Sequence, residues 1–281
     1  MPTSRITIVG TGFIGGSLGL ALKKAKVEAE IVGHDKDNSA AHRALKRGAV
    51  DTTKWNLLDA CEGAGLIILA LPLAGIQPTL DALKKDLPAG VVITDTAATK
   101  APVMDWALDL PANVSFVGGN PILKPTRAVS ASIDAADADV FQGATYCLIA
   151  SPRAAPGAID VVANLAGLIG AKPYFVDAHE HDGILAGVQH FPTLVASALA
   201  AGAMLTRSWR ESGKLAGAEF RDATTLVPAD GKTAAADFLA HRADLLQWLD
   251  VFNSRLADLR ALSERNDAAG IEALIEQVAI E

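Results

Sequence analysis

The sequence predicts an α/β fold, a doubly wound sheet followed by an all-helical C-terminal domain. Short apolar runs alternate with helical patterns over residues 1–177, which is typical of parallel strands covered by helices on both faces. Residues 178–281 show helical patterns alone. The chain has 281 residues, which suits one large or two modest domains, because single hydrophobic cores stop growing at about 250–300 residues. We therefore expect two domains, residues 1–177 and residues 178–281.

The strands of the first domain are predicted from short apolar or β-branched runs that turn residues separate. These runs are 5–9, 30–33, 66–71, 91–94, 115–117, 146–149 and 173–176. The clearest helical patterns are 11–24, 155–168, 181–208, 209–216, 232–265 and 268–278.

Composition and charge exclude several classes of function. Half of the residues are hydrophobic and 20% are charged, which indicates a folded chain with a sizeable core. The net charge is −7 and no cluster of Lys and Arg is visible, so we expect no nucleic-acid partner. The two cysteines, Cys61 and Cys147, match neither a disulfide framework nor a set of metal ligands. A reducing, cytoplasmic location is therefore expected.

No membrane segment is expected either. The apolar run at 6–9 is too short for a signal peptide. The apolar stretch at 191–205 has about 15 residues, fewer than the roughly 20 that span a bilayer. We interpret this second stretch as a buried helix.

A glycine-rich turn follows the first predicted strand and opens a helix. Gly10 permits the tight turn, Gly12 lets a pyrophosphate approach the backbone, and Gly15 lets the helix pack on the strand. The backbone N–H groups of the first helical turn, which includes Phe13 and Ile14, then face the phosphates. These five residues predict a Rossmann-type cofactor site, with a ligand-free turn, FAD or a methyl donor as the alternatives.

An acidic residue ends the second predicted strand. Asp35 stands 20 residues after Gly15 (35 minus 15), where a carboxylate can accept a hydrogen bond from the adenosine ribose 2′-hydroxyl. The same carboxylate repels a 2′-phosphate. The sequence therefore favours NAD over NADP, although the neighbouring Lys36 weakens this preference.

Two further loops follow predicted strands at the carboxyl edge of the sheet, where open α/β sheets bind ligands. Leu71 and Pro72 end one strand, and the loop from Asp95 to Lys100 follows another. We expect Leu71, Pro72 and Asp95 to contact the cofactor. In the alternative interpretation, Asp95 caps a helix and Lys100 is a surface charge.

Several motifs together resemble the prephenate and arogenate dehydrogenase family of tyrosine biosynthesis, nearly from end to end. The motifs are the glycine turn with Ser17-Leu18-Gly19-Leu20-Ala21, the 95–100 loop, Gly118-Gly119-Asn120-Pro121, His181-Asp182, Gln189-His190-Phe191-Pro192 and Phe220-Arg221-Asp222-Ala223-Thr224. The resemblance implies a Rossmann-type domain joined to a helical dimerisation domain. It also implies hydride transfer from a cyclohexadienol carbon to NAD, with loss of the ring carboxylate as carbon dioxide.

Three positions depart from what the resemblance implies. Asn120 replaces a histidine that takes the substrate hydroxyl proton, Ala98 replaces an assisting serine, and Thr225 replaces an arginine that grips a substrate carboxylate. An amide donates and accepts hydrogen bonds but takes no proton near neutral pH. His190 is implied to contact the substrate, or else it is a core histidine.

Other charged and titratable residues are candidates for binding a substrate or a metal ion. Lys124 and Arg127 follow the Gly-Gly-Asn-Pro segment and could supply new cations for a small-molecule substrate. His179, His181 and Asp182 resemble metal ligands, but the i, i+2 spacing does not place two ligands on one helix face. We therefore predict no metal.

Three functions remain open from the sequence. The first is an NAD-dependent dehydrogenase of the prephenate and arogenate type with an altered site. The second is a related dehydrogenase that acts on another substrate. The third is a non-catalytic, cofactor-binding paralogue.

An apolar stripe in the last long helix bears on assembly. Its residues step by four, three, four and three positions: Leu245, Leu249, Phe252, Leu256 and Leu259. Such a stripe packs within its own domain or forms a subunit interface. Together with the resemblance, it predicts a homodimer through the helical domain.

Overall fold

The computed structural model of the protein describes residues 5–123 and 132–279. The predicted substrate cations Lys124 and Arg127 lie outside the described residues. The chain divides into two units, Met1–Asp182 and Gly183–Glu281. Each unit is described by itself below.

The first unit is built on one eight-stranded sheet with the strand order β3-β2-β1-β4-β5-β6-β7-β8. The strands are β1 (Arg5–Val9), β2 (Glu30–His34), β3 (Thr52–Thr53), β4 (Leu66–Leu69), β5 (Val92–Asp95), β6 (Ser115–Ile122), β7 (Thr145–Ala150) and β8 (Lys172–Phe175). All neighbouring pairs are parallel except β6 and β7, which run antiparallel. The prediction of a doubly wound α/β sheet is confirmed, but the expectation that all of its strands are parallel is wrong.

Strand β6 is also longer than the predicted run 115–117. Beyond Val117 it leaves its parallel partner β5 and pairs with β7, which places Asn120 opposite Cys147. The Gly-Gly-Asn-Pro segment therefore lies within a strand, whereas the sequence predicted that the strand ends at Val117. Pairing with β7 holds this segment in the strand conformation, because two glycines and a proline are poor strand formers by themselves.

Helices cover both faces of the sheet. They are α1 (Phe13–Lys24), α2 (Asn38–Lys46), α3 (Leu57–Cys61), α4 (Leu73–Leu83), α5 (Ala101–Ala107) and α6 (Pro156–Leu168). One core cluster includes Leu18 of α1 and Val162 of α6, and the other includes Ile76 of α4 and Val103 of α5. This two-sided covering explains why the central strand β4 (sequence LIIL) is apolar at every position and fully buried.

Helices are the only regular secondary structure among the described residues of the second unit. Helix α7 (Ala178–Leu185) crosses the division between the units and leads into a π-type turn, Ala186–His190. The remaining helices are α8 (Phe191–Met204), α9 (Trp209–Ser212), α10 (Ala218–Ala223), α11 (Gly231–Ala240), α12 (Arg242–Glu264) and α13 (Ala268–Val278). The prediction of an all-helical C-terminal region is confirmed.

The predicted helix 232–265 is two helices, because the backbone leaves the helical conformation at His241 (φ −103°, ψ 21°). His241 is buried and its ring stacks on His190 with the ring centroids 4.3 Å apart. Further along α12, Trp248 packs so closely over Gly187 that an added Cβ would lie 2.5 Å from the indole. Trp248 and Phe252 also contact the ring of Phe191. These aromatic contacts join α12 to the π-type turn and α8.

The helical run Ala178–Met204 has 27 residues and is long and apolar enough, by length and composition, to cross a membrane. The sequence predicted a helix over 181–208 and judged its apolar stretch, 191–205, too short to span a bilayer; the apolar helical run of the structure is longer, because it begins at Ala178. This run carries the buried polar side chains His181, Asp182 and His190. Within α8 the buried residues are Ala196 and Ala200, so the prediction of a buried helix at 191–205 is wrong for the single chain.

Candidate active site

The glycine turn between β1 and α1 has a backbone that only glycine adopts without strain. Gly10 has φ +92°, and a Cβ there would collide with the carbonyl of Ala70. A Cβ on Gly15 would collide with the carbonyl of Gly10. The two glycines thus let the start of α1 approach both its own strand and β4, as the sequence predicted.

The amino end of α1 is open to an anion. Its N-cap is Gly12, which offers no side chain to the first N–H groups, and its first turn contains no acidic residue. Unpaired N–H groups together with the helix dipole attract phosphate. Phe13 and Ile14 stand in this first turn and are partly exposed. The arrangement fits the pyrophosphate of a dinucleotide.

Asp35 lies directly after β2 and is held against the glycine turn. Its Oδ2 accepts a hydrogen bond from the Thr11 backbone N–H at 2.8 Å, and its Oδ1 accepts one from the Asp37 backbone N–H at 2.9 Å. Oδ2 also accepts from the Thr11 hydroxyl at 3.2 Å, whereas Oδ1 of this partly exposed side chain can accept a further hydrogen bond. The predicted contact of Asp35 with the adenosine ribose stays a prediction.

The loop after β4 begins with Leu71, which is half-buried, and Pro72, which is exposed. Leu71 contacts the glycine turn, since a Cβ on Gly10 would lie 3.0 Å from its side chain. Leu71 and the turn therefore share the carboxyl edge of the sheet. The predicted cofactor contacts of Leu71 and Pro72 stay predictions.

A buried ion pair lies at the end of β5. Lys100 and Asp95 are both fully buried, and Lys100 Nζ donates to Asp95 Oδ2 and, at 2.7 Å, to the carbonyl of Gly119. Burial lowers the pKa of Lys100, while the nearby Asp95 carboxylate favours its charged form. The interpretation of Lys100 as a surface charge is wrong.

Asp95 is occupied by protein groups on both oxygens. Oδ1 accepts from the Gly119 backbone N–H at 3.1 Å, and Oδ2 accepts from the Ala97 backbone N–H at 3.0 Å as well as from Lys100. The interpretation of Asp95 as a helix cap is also wrong, because α5 has no side-chain cap from its own N-cap residue. Whether Asp95 also touches the cofactor stays a prediction.

The paired glycines of β6 allow this close approach. A Cβ on Gly119 would lie 2.6 Å from the carbonyl oxygen of Asp95 and 2.8 Å from the ring of Tyr146. A Cβ on Gly118 would lie 2.8 Å from the sulfur of Met104. The Gly-Gly pair therefore brings the next residue, Asn120, beside the buried ion pair.

Asn120 is the first member of a buried hydrogen-bond chain. Its Nδ2 lies 3.1 Å from His181 Nε2, and His181 Nδ1 lies 2.8 Å from Asp182 Oδ1. The Asp182 carboxylate accepts from the backbone N–H groups of Lys100 at 2.7 Å and Ala101 at 2.8 Å, so it caps α5. All three side chains of the chain are buried.

The charge of Asp182 is stabilised by these contacts. Burial alone raises the pKa of its carboxyl group, but the hydrogen bonds from His181 and from the two backbone N–H groups outweigh it and hold the pKa below the ordinary value. Asp182 is therefore ionised near neutral pH. The sequence offered His181 and Asp182 as a motif of the family resemblance and as possible metal ligands, but it did not reveal this hydrogen-bond chain, because Asn120 is 61 residues away from His181 along the chain.

The remaining residues predicted for catalysis or substrate binding lie at separate positions in the two units. Ala98 lies half-buried in the loop between β5 and α5. Its side chain is a methyl group, so it offers no hydroxyl to a ligand. His190 is buried at the end of the π-type turn of the second unit, stacked on His241. Thr225 is exposed and follows the end of α10. Among residues 5–123 and 132–279, no group of three His, Cys, Asp or Glu side chains could hold a metal ion.

Comparisons with known proteins agree with this architecture. The model of the prephenate dehydrogenase nucleotide-binding domain matches residues 18–175, and that of the prephenate dehydrogenase dimerization domain matches residues 177–277. A prephenate dehydrogenase from Lactococcus lactis subsp. cremoris is 31% identical over 97% of this chain and 75% of its own length.

Two solved structures share the fold. Synechocystis arogenate dehydrogenase has a TM-score of 0.83 and 25% identity, with 97% of this chain and 96% of that chain covered. Prephenate dehydrogenase from A. aeolicus, solved in complex with hydroxyphenyl propionate and NAD+, has a TM-score of 0.89 and 21% identity, with 98% and 96% covered. Because the two domain models together span nearly the whole chain and the lactococcal relative aligns along 97% of it, the protein belongs to the prephenate dehydrogenase family.

Proposed function

We propose that the protein oxidises a cyclohexadienol such as prephenate or arogenate with NAD, with loss of the ring carboxylate as carbon dioxide. Its membership of the prephenate dehydrogenase family makes it an NAD-dependent oxidoreductase of tyrosine biosynthesis. The observation that carries the proposal is the open, glycine-built end of α1 beside Asp35, in a chain that both domain models of the family match.

The cofactor site is formed by the glycine turn and its neighbours. The N–H groups at the start of α1 bind the pyrophosphate, and Asp35 accepts hydrogen bonds from the adenosine ribose. When bound, NAD supplies the nicotinamide that accepts the hydride. A carboxylate at position 35 repels a 2′-phosphate, which is why we propose NAD rather than NADP as the working cofactor.

Asn120 takes the place of the proton acceptor. Its carbonyl oxygen can accept a hydrogen bond from the substrate hydroxyl and so orient it, but the amide cannot remove the proton. A positioned general base typically contributes 10²- to 10⁴-fold to the rate. We therefore expect turnover to be slow unless another group or water takes the proton, and His190 is the candidate within the second unit.

Substrate anchoring is altered too. An arginine at position 225 would hold a carboxylate through two parallel, charge-assisted hydrogen bonds, and Thr225 cannot. Lys124 and Arg127 are the cations we propose for this purpose. The same substitution favours a second candidate function, a dehydrogenase of this family whose substrate lacks one carboxylate or carries another group there.

Turnover assays separate the two candidates. Purified protein is incubated with NAD and either prephenate or arogenate, and NADH formation is followed by absorbance. We expect slow turnover, and we expect Ala98→Ser/Asn120→His to raise kcat by about 10²-fold or more, because a base and its assisting hydroxyl are restored. The exposed Asn113 provides the control Asn113→His, which should leave kcat unchanged.

Two other results would change the assignment. Brisk turnover by the unmodified protein would show that Asn120 is sufficient or that another base, such as His190, takes the proton. A double variant that binds NAD but turns over neither compound would favour the second candidate.

Thr225→Arg should lower KM for a carboxylate substrate by about tenfold, which is the value of one charge-assisted contact.

Assembly and location are part of the same proposal. The second unit matches a dimerization domain, and we propose that the protein is a homodimer through its helices. We also propose a cytoplasmic location, since both cysteines are buried and free, as is usual in a reducing compartment.

A further inference from the structure

The hydrogen-bond chain behind Asn120 has a fixed direction. Asp182 is ionised, so its carboxylate can accept but not donate, and His181 Nδ1 must therefore carry a proton and donate it. The Nδ2 atom of Asn120, which can only donate, faces His181 Nε2 at 3.1 Å, so Nε2 is the acceptor of this contact. The hydrogen bonds therefore run from Asn120 to His181 and from His181 to Asp182.

This direction fixes the other half of the amide. With Nδ2 committed to His181, the carbonyl oxygen of Asn120 faces away from the histidine. Among the described residues, no hydrogen bond to Asn120 Oδ1 is formed, although the residue is 96% buried (4% exposed). An amide oxygen without a protein donor is available to a ligand that donates a hydrogen bond.

We propose that His181 and Asp182 are positioning residues that hold the Asn120 amide with its oxygen toward the substrate, so that the site selects a hydroxyl donor. The proposal rests on the proposed function, in which a ring hydroxyl becomes a ring carbonyl. A ring hydroxyl can donate a hydrogen bond to Asn120 Oδ1. A ring carbonyl cannot, because its oxygen and Asn120 Oδ1 are both acceptors. The site therefore distinguishes the reduced ring from the oxidised ring at one atom.

The first test reads the histidine directly. Nitrogen NMR of uniformly labelled protein distinguishes a protonated from an unprotonated ring nitrogen, and the His181 signals are those that disappear in His181→Gln. We expect a proton on Nδ1 and a bare Nε2 at neutral pH. A proton on Nε2 would overturn the proposal, because it would require the amide oxygen to face His181, and it would leave the proposed function standing.

The second test reads the selectivity. Affinities for 4-hydroxycyclohexane carboxylate and 4-oxocyclohexane carboxylate are measured in the presence of ADP-ribose, which cannot exchange a hydride. We expect the hydroxyl probe to bind about tenfold more tightly, the value of one neutral hydrogen bond at the upper end of its range. His181→Leu should reduce this ratio to about one, because the amide then has no acceptor for Nδ2 and can rotate.

Matched variants separate positioning from general damage. His181→Gln offers an amide oxygen to Asn120 Nδ2 and should keep most of the selectivity. His179→Leu changes an exposed histidine of the same helix and should keep all of it. Equal selectivity in His181→Leu and the unmodified protein, with NAD affinity intact in both, would refute the positioning role. If the Nδ1 proton is present but neither prephenate nor arogenate is turned over, the orientation is supported and the proposed function alone fails.

Discussion

The two units of the chain differ in how completely they bury their own apolar side chains. In the first unit, two clusters of buried side chains cover the two faces of the sheet, and six large apolar side chains are exposed among its described residues. In the shorter second unit, fifteen are exposed, whereas the buried apolar residues are few: Leu185, Ala186, Ala196, Ala200 and Leu245. The first unit resembles a finished domain and the second resembles half of one.

This difference shows where each unit obtains its stability. A monomeric protein rarely exposes so many apolar side chains together, and large exposed patches mark interaction surfaces. Obligate interfaces resemble a hydrophobic core that has been cut in half. The first unit is held by internal packing and by its buried polar network, whereas we infer that the second unit requires the matching surface of another copy.

The largest expected effect tests the internal network of the first unit. Lys100→Met leaves the Asp95 carboxylate buried without its cation, and breaking a buried ion pair in this way costs about 3–5 kcal/mol. The midpoint of urea unfolding, followed by circular dichroism, should fall accordingly. The double variant Asp95→Asn/Lys100→Met should recover part of the loss, because no net charge then remains buried.

An exposed pair supplies the control for this experiment. Lys84 contacts Asp81 at 2.7 Å on the surface of α4, and Lys84→Met should not change the unfolding midpoint measurably. An equal loss in Lys84→Met and Lys100→Met would contradict the distinction between the buried network and the surface.

The buried network also shows the limit of sequence reasoning. The glycine turn, Asp35 and the alternation of strands and helices were predictable, because each depends on residues close together in the chain. Lys100 could not be recognised as buried, nor His181 as the partner of Asn120, because those contacts depend on β6 lying between β5 and β7. The antiparallel pairing of β6 with β7 has no signal in the local sequence, because it depends on a strand that lies further along the chain.

The break at His241 is a second example from the other unit. The pattern over 232–265 is helical throughout, and local propensity offers no reason for a break there. The interruption accompanies the stacking of His241 on His190, which comes from a distant segment. Tertiary contacts of this kind override helix propensity and are not visible in a single sequence.

A smaller effect tests the incomplete burial of the second unit. Leu256 belongs to the predicted stripe on α12 and is 48% exposed in the single chain. If the stripe is a subunit interface, Leu256→Asp places a charge in it and should weaken association by about 2 kcal/mol or more. Light scattering should then move from twice the 29.1 kDa chain mass toward that mass at micromolar concentration.

The matched control for Leu256 is Leu58 of α3, which is 40% exposed in the first unit. Leu58→Asp should leave the mass unchanged, because the first unit has no need of a partner surface. A mass near 29.1 kDa for the unmodified protein at the same concentration would show that the second unit is stable as it stands. The comparison between the two units would then have to be abandoned.

The smallest expected effect concerns the predicted cofactor site at the carboxyl edge of the sheet in the first unit. The glycine turn and Asp35 both belong to this unit, so changing one side chain there should change cofactor affinity. Asp35→Ser keeps a hydrogen-bond acceptor but removes the charge, so NAD should bind about tenfold more weakly, the lower end for a charge-assisted hydrogen bond, and NADP should lose its repulsion. Asp37→Ser is the control, because serine can still cap α2 through the Ser39 backbone N–H that Asp37 now engages. Calorimetry with both cofactors measures the ratio of their affinities. If the unmodified protein binds NADP more tightly than NAD, Asp35 does not govern the choice, and the neighbouring Lys36 becomes the residue to change.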